Sequence, residues 1–406
     1  MTNLEKLLEG VEVEWKTLGE VCEFQNGFSF KSNLFSDTGL PIVRITNIDG
    51  KNINLKDVKY FHPADYKSGN PLNYSIVKGD ILIAMSGATT GKIGYYNMEE
   101  TAYINQRVGK FIPKKAVLNS RFLYHFLLTK SDFLNVLAGG GAQPNLSSNS
   151  LKEKLSIPIP SLSVQSKIVD ILDKFTTLET ELEAELDCRK RQYEYYRNKL
   201  LSFDKLNNII WMSINDVCEN ICSGGTPLTS KQEYYQGNIP WLRTQDVNWK
   251  EVYDTDVKIS EEAIESSSAK IIPRNCVIVA MYGATAAKAC INKIPLTTNQ
   301  ACCNLQINGQ IANYKYVYYW LCHEYNNLKA LGEGSQSNIN VRKIKAYKIP
   351  IPSLSEQQRI VSILDKFEIL TTSISEGLPK EIELRRKQYE YYRNKLLSFP
   401  NAKIKL

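Results

Sequence analysis

The chain has 406 residues, 43% hydrophobic and 23% charged, with a formal net charge of +7. Such values describe two or three folded domains and exclude a disordered chain. No apolar run approaches the ~20 residues that span a bilayer, and the charged N-terminal stretch MTNLEKLLEGVEVEWK is not a signal peptide. Nine cysteines without a CxxC pair, and three histidines standing singly (His62, His125, His323), argue against a zinc site and for reduced thiols. A cytoplasmic protein with no membrane contact is expected. The positive charge is spread thinly, +4 of it on residues 346–406. Nucleic-acid binding is therefore allowed by the balance but not demanded by it.

A first globular part begins at Trp15. PIVRITNI (41–48) predicts a strand, and GDILIAMSG (79–87), an apolar run closed by glycine, predicts a buried strand entering a turn. RFLYHFLLT (121–129) predicts an amphipathic helix. The IPIP segment at 157–160 then fixes extended backbone through Pro158 and Pro160. Ser163 is a suitable N-cap for a helix after that segment. Beyond it, apolar residues recur at spacings of three and four: Ile168, Ile171, Leu172, Phe175, Leu178, Leu182, Leu186, Tyr193, Tyr196 and Leu200. They form one stripe on a helix of about 55 Å.

The same order then returns. Trp211 opens a second part, in which PWLRTQDV (240–247), NCVIVAMYG (275–283) and YVYYWLCHEY (316–325) are the matching elements. IPIPSLSVQSKIVDILDKF (157–175) recurs 192 residues later as IPIPSLSEQQRIVSILDKF (349–367), and RKRQYEYYRNKLLSF (189–203) as RRKQYEYYRNKLLSF (385–399). Two copies of one unit, a domain plus a helix, are implied. The second stripe (Ile360, Ile363, Leu364, Phe367, Tyr389, Tyr392, Leu396), capped by Ser355, is expected to pack on the first. Gly377 and Pro379 should break it. The expected fold class is α+β: two pseudo-repeated mixed α/β domains joined by two long helices.

The usual signatures of catalysis are missing. GATTGK (87–92) is one residue short of a phosphate loop, Ile93 stands where a magnesium-binding hydroxyl belongs, and the second copy reads GATAAK (283–288). There is no GxGxxG, no Asn-Pro-Pro-aromatic tetrapeptide, and no nuclease-like carboxylate pair with a nearby lysine. Catalysis is not expected.

Together these features resemble the specificity subunits of type I restriction-modification enzymes, over the whole chain. The resemblance is carried by the two IPIPSLSxQxxIVxILDKF blocks and by segments 143–145 and 336–338, which begin at Gln143 and Gln336. It is also carried by SGGTPLTSKQEYYQGNIPWLRTQDV (223–247), similar to the opening of many of that family's target-recognition domains. It implies two target-recognition domains, 1–150 and 204–345, each reading half of a split double-stranded DNA site. It implies that helices in 151–203 and 346–406 form an antiparallel coiled coil that sets the spacing and docks two methyltransferase subunits, with restriction or translocase subunits where present. This chain would then be a non-catalytic host-defence subunit that positions an adenine methyltransferase. S-adenosylmethionine, ATP and magnesium would sit on the partners and no cofactor on this chain. TLETELEAELDC (177–188), with a leucine every fourth residue, resembles the tetrapeptide repeats that vary in the family's central helix.

Residues identical in both copies cannot distinguish two half-sites. Of these, Arg44 with Arg243 and Lys92 with Lys288 are expected to position the domains on phosphates. Asn105-Gln106 with Asn299-Gln300 are expected to hold the fold by hydrogen bonds. Base readout is expected where the copies diverge in side chains that match groove edges. The candidates are Lys31, Asn33, Ser86 and Thr90 in the first domain, and Thr229, Lys231, Gln232, Tyr234, Gln245 and Tyr282 in the second. Ile168, Leu172, Phe175, Tyr193, Tyr196, Ile360, Leu364, Phe367, Tyr389 and Tyr392 are expected to form the coiled-coil core and partner-docking surface. The alternative reading is a scaffold with two binding domains on a coiled-coil spacer and no nucleic acid, which would show no salt-dependent DNA binding.

Overall fold

The computed structural model describes residues 7–67, 69–139, 144–203, 209–332, 338–373 and 375–399. Gln143 and Gln336 lie outside them. Contacts divide the chain into two compact units, residues 1–182 with 381–406 and residues 183–380.

In the first unit, β1 (Glu14–Thr17) and α1 (Leu18–Val21) lead into β2 (Cys22–Asn26), β3 (Leu40–Val43), β4 (Lys59–Phe61) and β5 (Ser75–Ile76). Next come β6 (Ile81–Ala84), β7 (Ile93–Tyr95), β8 (Ala102–Ile104) and β9 (Val108–Pro113). Helices α2 (Ser120–Leu128), α3 (Ser131–Leu137) and α4 (Ser148–Lys154) come after them, then β10 (Ser156–Ile159). One antiparallel sheet has the order β2-β9-β6-β7, and a second, β4-β3-β8-β5, contains the parallel pair β3 and β8. β1 pairs with β10, so that Trp15 faces Pro158.

The apolar run in β6 has a simple cause. Successive strand side chains point to opposite faces. Ile81 and Ile83 enter the core shared with α2, while Leu82 and Ala84 enter the one shared with Val43 and Ile104. A strand covered on both faces reads as unbroken apolar sequence.

The second unit repeats the plan. Helix α5 (Leu162–Leu200) runs into it, followed by β11 (Ile210–Ser213), β12 (Cys218–Ser223), β13 (Ile239–Leu242), β14 (Glu251–Val252) and β15 (Lys258–Ile259). After α6 (Glu261–Glu265) come β16 (Val277–Ala280), β17 (Ala289–Asn292), β18 (Thr297–Thr298) and β19 (Cys302–Ile307). The unit closes with α7 (Tyr314–His323), α8 (Tyr325–Ala330), α9 (Val341–Ala346), β20 (Lys348–Ile351) and α10 (Leu354–Thr372). Its sheets are β12-β19-β16-β17-β14 and β15-β13-β18, and β11 pairs with β20, so that Trp211 faces Pro350. Val277 and Val279 alternate with Ile278 and Ala280 between two cores, as in β6.

Each domain is bolted to its helix by a glutamine that the repeat shares. Gln165 and Gln357 are fully buried. Their Oε1 atoms accept from the backbone N–H of the helix-capping residues Asn119 and Asn313, both at 2.8 Å. The Nε2 of Gln165 donates to Val117 and Pro160 carbonyls, and that of Gln357 to Ile311 and Pro352 carbonyls. The helices start earlier than Ser163 and Ser355, a correction to the expected caps. Ser161 Oγ accepts from Val164 N–H and Ser353 Oγ from Glu356 N–H. Each serine directly follows the last proline of the IPIP segment, so the helix can begin there.

The two stripes do pack together, half by half. In the first unit α5 runs antiparallel to α11 (Gly377–Leu397): Phe175 stacks on Tyr392, and Glu179 accepts from Arg386 at 2.5 Å and from Lys51 at 3.0 Å. In the second, Tyr193 and Tyr196 meet Phe367 of α10. The distal stripe breaks between α10 and α11. Gly377 there takes φ 80°, and a Cβ on it would lie 2.4 Å from the Ile369 carbonyl oxygen.

A partner-docking role is corrected for Ile168, Leu172, Ile360, Leu364 and Tyr389. All are buried, the first four packed against their own domains. A helix of this length gives its early turns to the domain and its later turns to the other helix. Tyr195 and Tyr391 instead face out, 60% and 59% exposed.

Polar groups key each helix pair differently. In the first unit, His125 Nε2 lies 2.8 Å from Asp173 Oδ1, and Nδ1 lies 2.8 Å from the Tyr389 hydroxyl. Burial lowers the pKa of His125. The neutral ring then donates to Asp173 and accepts from Tyr389. Burial alone would raise the Asp173 carboxyl, but bonds from His125 and Arg121 hold it below the usual range. In the second unit Lys315 takes the place of Arg121 and donates to Asp365 at 2.9 Å. The Tyr319 hydroxyl lies 2.6 Å from Asp365 Oδ1 and 2.7 Å from Glu368 Oε2.

A phenol has one proton and cannot donate to two carboxylates. With Tyr319 donating to Asp365, the second contact is satisfied when Glu368 carries a proton, the form that burial favours by raising its pKa. A carboxyl whose folded pKa is raised contributes full stability below its unfolded value, near 4.5, and loses it as pH rises through the folded value. Glu368→Gln, which keeps a donor without a titrating proton, is expected to remove that loss. Thermal unfolding followed from acid to alkaline pH should show the variant's advantage growing with pH; parallel curves would contradict the shared-proton arrangement.

Candidate nucleic-acid interface

Strand directions gather the divergent loops at one end of each domain. In the first unit β3 and β8 are parallel and finish on the same side. The end of β2, Asn26, lies beside Gly109, and the end of β6, Ala84, beside Val108. Segments 27–33, 44–47, 85–92 and 105–107 therefore emerge together. In the second unit β13 and β18 are parallel, Ser223 lies beside Cys303 and Ala280 beside Cys302. Segments 224–232, 243–247, 281–288 and 299–301 converge in the same way.

Residues shared by the copies clamp these loops. Gly27 and Gly224 let the chain cross over the Asn-Gln turn: a Cβ on either would lie 2.2 Å from Asn105 O or 2.1 Å from Thr298 O. Asn105 N–H donates to Val43 O and Asn299 N–H to Leu242 O, each at 2.9 Å. Asn299 Nδ2 also donates to Thr244 Oγ1. Thr89 Oγ1 donates to Ile45 O, and Thr285 Oγ1 to Thr244 O. Met85 N–H reaches Arg107 O and Met281 N–H reaches Ala301 O, both at 2.8 Å. Leu146 and Ile339 close each cluster by donating to Met85 O and Met281 O. The asparagine of each pair is thus built into the frame, whereas the glutamines Gln106 and Gln300 are exposed. GATTGK joins two antiparallel strands and opens no helix, so it forms a hairpin loop and not a phosphate cradle.

The expected phosphate contacts fall into two groups. Lys92 is exposed and its side chain makes no hydrogen bond or ion pair among the described residues. Lys288 is half-buried, with Nζ 2.9 Å from Asn248 Oδ1. Arg243 is already engaged within its turn: its guanidinium lies on the Asp246 carboxylate at 3.1 and 3.4 Å. Arg44 occupies the same turn, but Asn47 replaces the aspartate, and the guanidinium donates to Asp57 O.

Among the readout candidates, Lys31, Asn33, Thr229, Gln232, Gln245 and Tyr282 are exposed on the converging loops. Ser86 is partly covered, with its hydroxyl unpartnered among the described residues. Lys231 is exposed but donates to the Tyr234 hydroxyl at 2.9 Å. Two candidates are overturned by burial. Tyr234, 4% exposed, packs in a core with Trp241 and Ile259. Thr90, 8% exposed, spends its hydroxyl on Gly87 O and Pro144 O. Residue type alone could not separate such side chains from surface ones. Arg107, exposed on the first unit's turn, was not among the candidates, although it is the first residue to diverge after the identical Asn-Gln pair.

Among the described residues, no group of three or more His, Cys, Asp or Glu could hold a metal ion, and no helix is long and apolar enough to cross a membrane. All nine cysteines are unpaired, and burial pushes Cys22, Cys218, Cys276 and Cys303 up to about 12. These are packing thiols.

One α+β frame built twice, with shared residues inside and dissimilar polar loops at the same end of each copy, defines a two-headed recognition protein. The sequence matches the type I restriction modification DNA specificity domain over residues 10–187 and again over 210–384. It is 36% identical over 416 residues to the type I restriction enzyme EcoR124I/EcoR124II specificity subunit of Escherichia coli, covering 98% of both chains. It is 35% identical to a putative type I restriction enzyme specificity subunit of Haemophilus influenzae, again covering 98% of both. The fold is similar to the crystal structure of the type I S subunit from M. genitalium, with a TM-score of 0.60 at 17% identity over 99% of this chain and all of that one. The chain belongs to the specificity subunits of type I restriction-modification systems.

Proposed function

We propose that this chain reads a split, asymmetric double-stranded DNA site and holds adenine-N6 methyltransferase subunits on it. Domains 1–150 and 204–345 each take one half-site, and the paired helices set the distance between them and carry the partners. The observation that supports this most is the doubled frame: identical residues are spent on holding the loops, and the loops themselves differ. S-adenosylmethionine, ATP and magnesium belong in this reading to the methyltransferase and restriction subunits, acting in the cytoplasm where the DNA is.

Phosphate contacts release counterions, so affinity should fall steeply and log-linearly as salt rises. Equilibrium binding of a duplex carrying the methylated motif, with the chain and its methyltransferase assembled, should show that slope between low and physiological salt. Salt-insensitive or absent binding would favour the scaffold reading. In this reading the modest net charge of +7 leaves part of the electrostatic attraction to the partners.

A further inference from the structure

The two loop clusters share their frame but not their free charge. In the second unit each cation aligned with the frame already has a partner: Arg243 has Asp246, Lys288 has Asn248, and Lys231 has Tyr234. In the first, Lys31, Lys92 and Arg107 are exposed, and their side chains make no hydrogen bond or ion pair among the described residues. Arg107 is the best placed of the three. Its N–H approaches Asn105 Oδ1 at 3.4 Å, its carbonyl accepts from Met85 at 2.8 Å, and Val108 N–H closes the turn on Asn105 O at 2.7 Å. The crossing at Gly27 presses on that same asparagine. The exposed side chain therefore starts from a backbone fixed on several sides, in a turn bonded to Met85, which precedes the hairpin loop, and to Gly27 through Val108. At the equivalent position the second unit has Ala301, which is buried.

We propose that Arg107 is a specificity-determining residue that reads a guanine in the half-site of the first domain. The inference rests on the DNA-reading function above and narrows it to one base and one side chain. A guanidinium presents a rigid planar fork that matches the O6 and N7 acceptors of guanine in the major groove, whereas a lysine reaches them with a compact ammonium on a flexible stem, without the fixed parallel pair. A side chain held by a rigid turn and not neutralised by its own domain keeps both donors for the base. Lys92 and also Lys31, which moves here from the readout candidates, sit on flexible stems in the same loop cluster and suit phosphates, which carry no sequence information. The second unit, with Ala301 there, reads no base from this turn.

The test is methylation of a randomised duplex library by the complete complex of this chain and its methyltransferase, comparing wild type with Arg107→Ala, Arg107→Lys and Lys92→Ala. Wild type should yield a two-part motif with a guanine in one half. Arg107→Ala should relax that position alone, with preference for guanine there falling roughly 10- to 100-fold, and leave the other half-site unchanged. Arg107→Lys should recover overall methylation and only part of the preference. Lys92→Ala should lower methylation of all sequences alike. A wild-type motif that Arg107→Ala leaves intact at every position, or lowers uniformly, overturns the assignment while the DNA-reading function stands. A folded wild-type complex that yields no motif overturns that function itself, and the assignment with it. Unchanged thermal unfolding of the variants, expected for an exposed side chain, keeps a folding defect from imitating either result.

Discussion

Gln165→Ala is expected to destabilise the first unit by about 3–5 kcal/mol, far more than the typical substitution. The side chain has no exposed surface and ties three backbone groups together: the N–H of Asn119 and the carbonyls of Val117 and Pro160. Removing it leaves those groups buried and unpaired, each at a cost of roughly 1–3 kcal/mol, and opens a cavity where α2 meets α5. Water entering the cavity would recover part of the loss, which sets the lower bound. Gln357→Ala should act the same way on the second unit through Asn313, Ile311 and Pro352. Denaturant unfolding, with a probe in each unit, checks both. A loss below about 1 kcal/mol at either site would mean that the glutamine is a passenger of the repeat and not its lock.

The second large effect concerns the DNA site. α5 is one continuous helix from Leu162 to Leu200, and the two compact units divide within it, between Leu182 and Glu183. The boundary lies inside the TLETELEAELDC stretch, where leucines recur every four residues. Inserting one more four-residue unit there adds about 6 Å of helix. It touches neither loop cluster. If the domains are independent readers, both half-site sequences should persist while the unread gap between them lengthens, just as half-site spacing follows protein geometry in dimeric repressors. Mapping methylated sites for the variant decides the matter. Full methylation at the original spacing would show that the gap is not set by this helix.

Much of the architecture was legible because the repeat states it twice. The paired IPIP blocks, the matched strands at 79–87 and 275–283, and the break near Gly377 all reflect backbone chemistry that proline, glycine and alternating apolar residues impose locally. What sequence could not supply was the third dimension of polar side chains. Tyr234 and Thr90 look like groove-reading residues by type, yet one is core and the other is bonded to its own loop. Arg243 looks like a free cation, yet an aspartate three residues on pairs with it. The inward turn of Ile168 and Leu172 was hidden for a related reason: an apolar stripe shows that a face is covered, not by which neighbour. The repeat did hold one unused signal, at Arg107 against Ala301.

The most direct measurement is a genome-wide map of N6-methyladenine in cells expressing this chain with its methyltransferase, beside cells lacking only this chain. A two-part motif with a fixed unread gap, present in the first and gone in the second, is the predicted result. Methylation that keeps its motif without the chain, or shows none when the assembled complex is present, would contradict its role as the sequence reader.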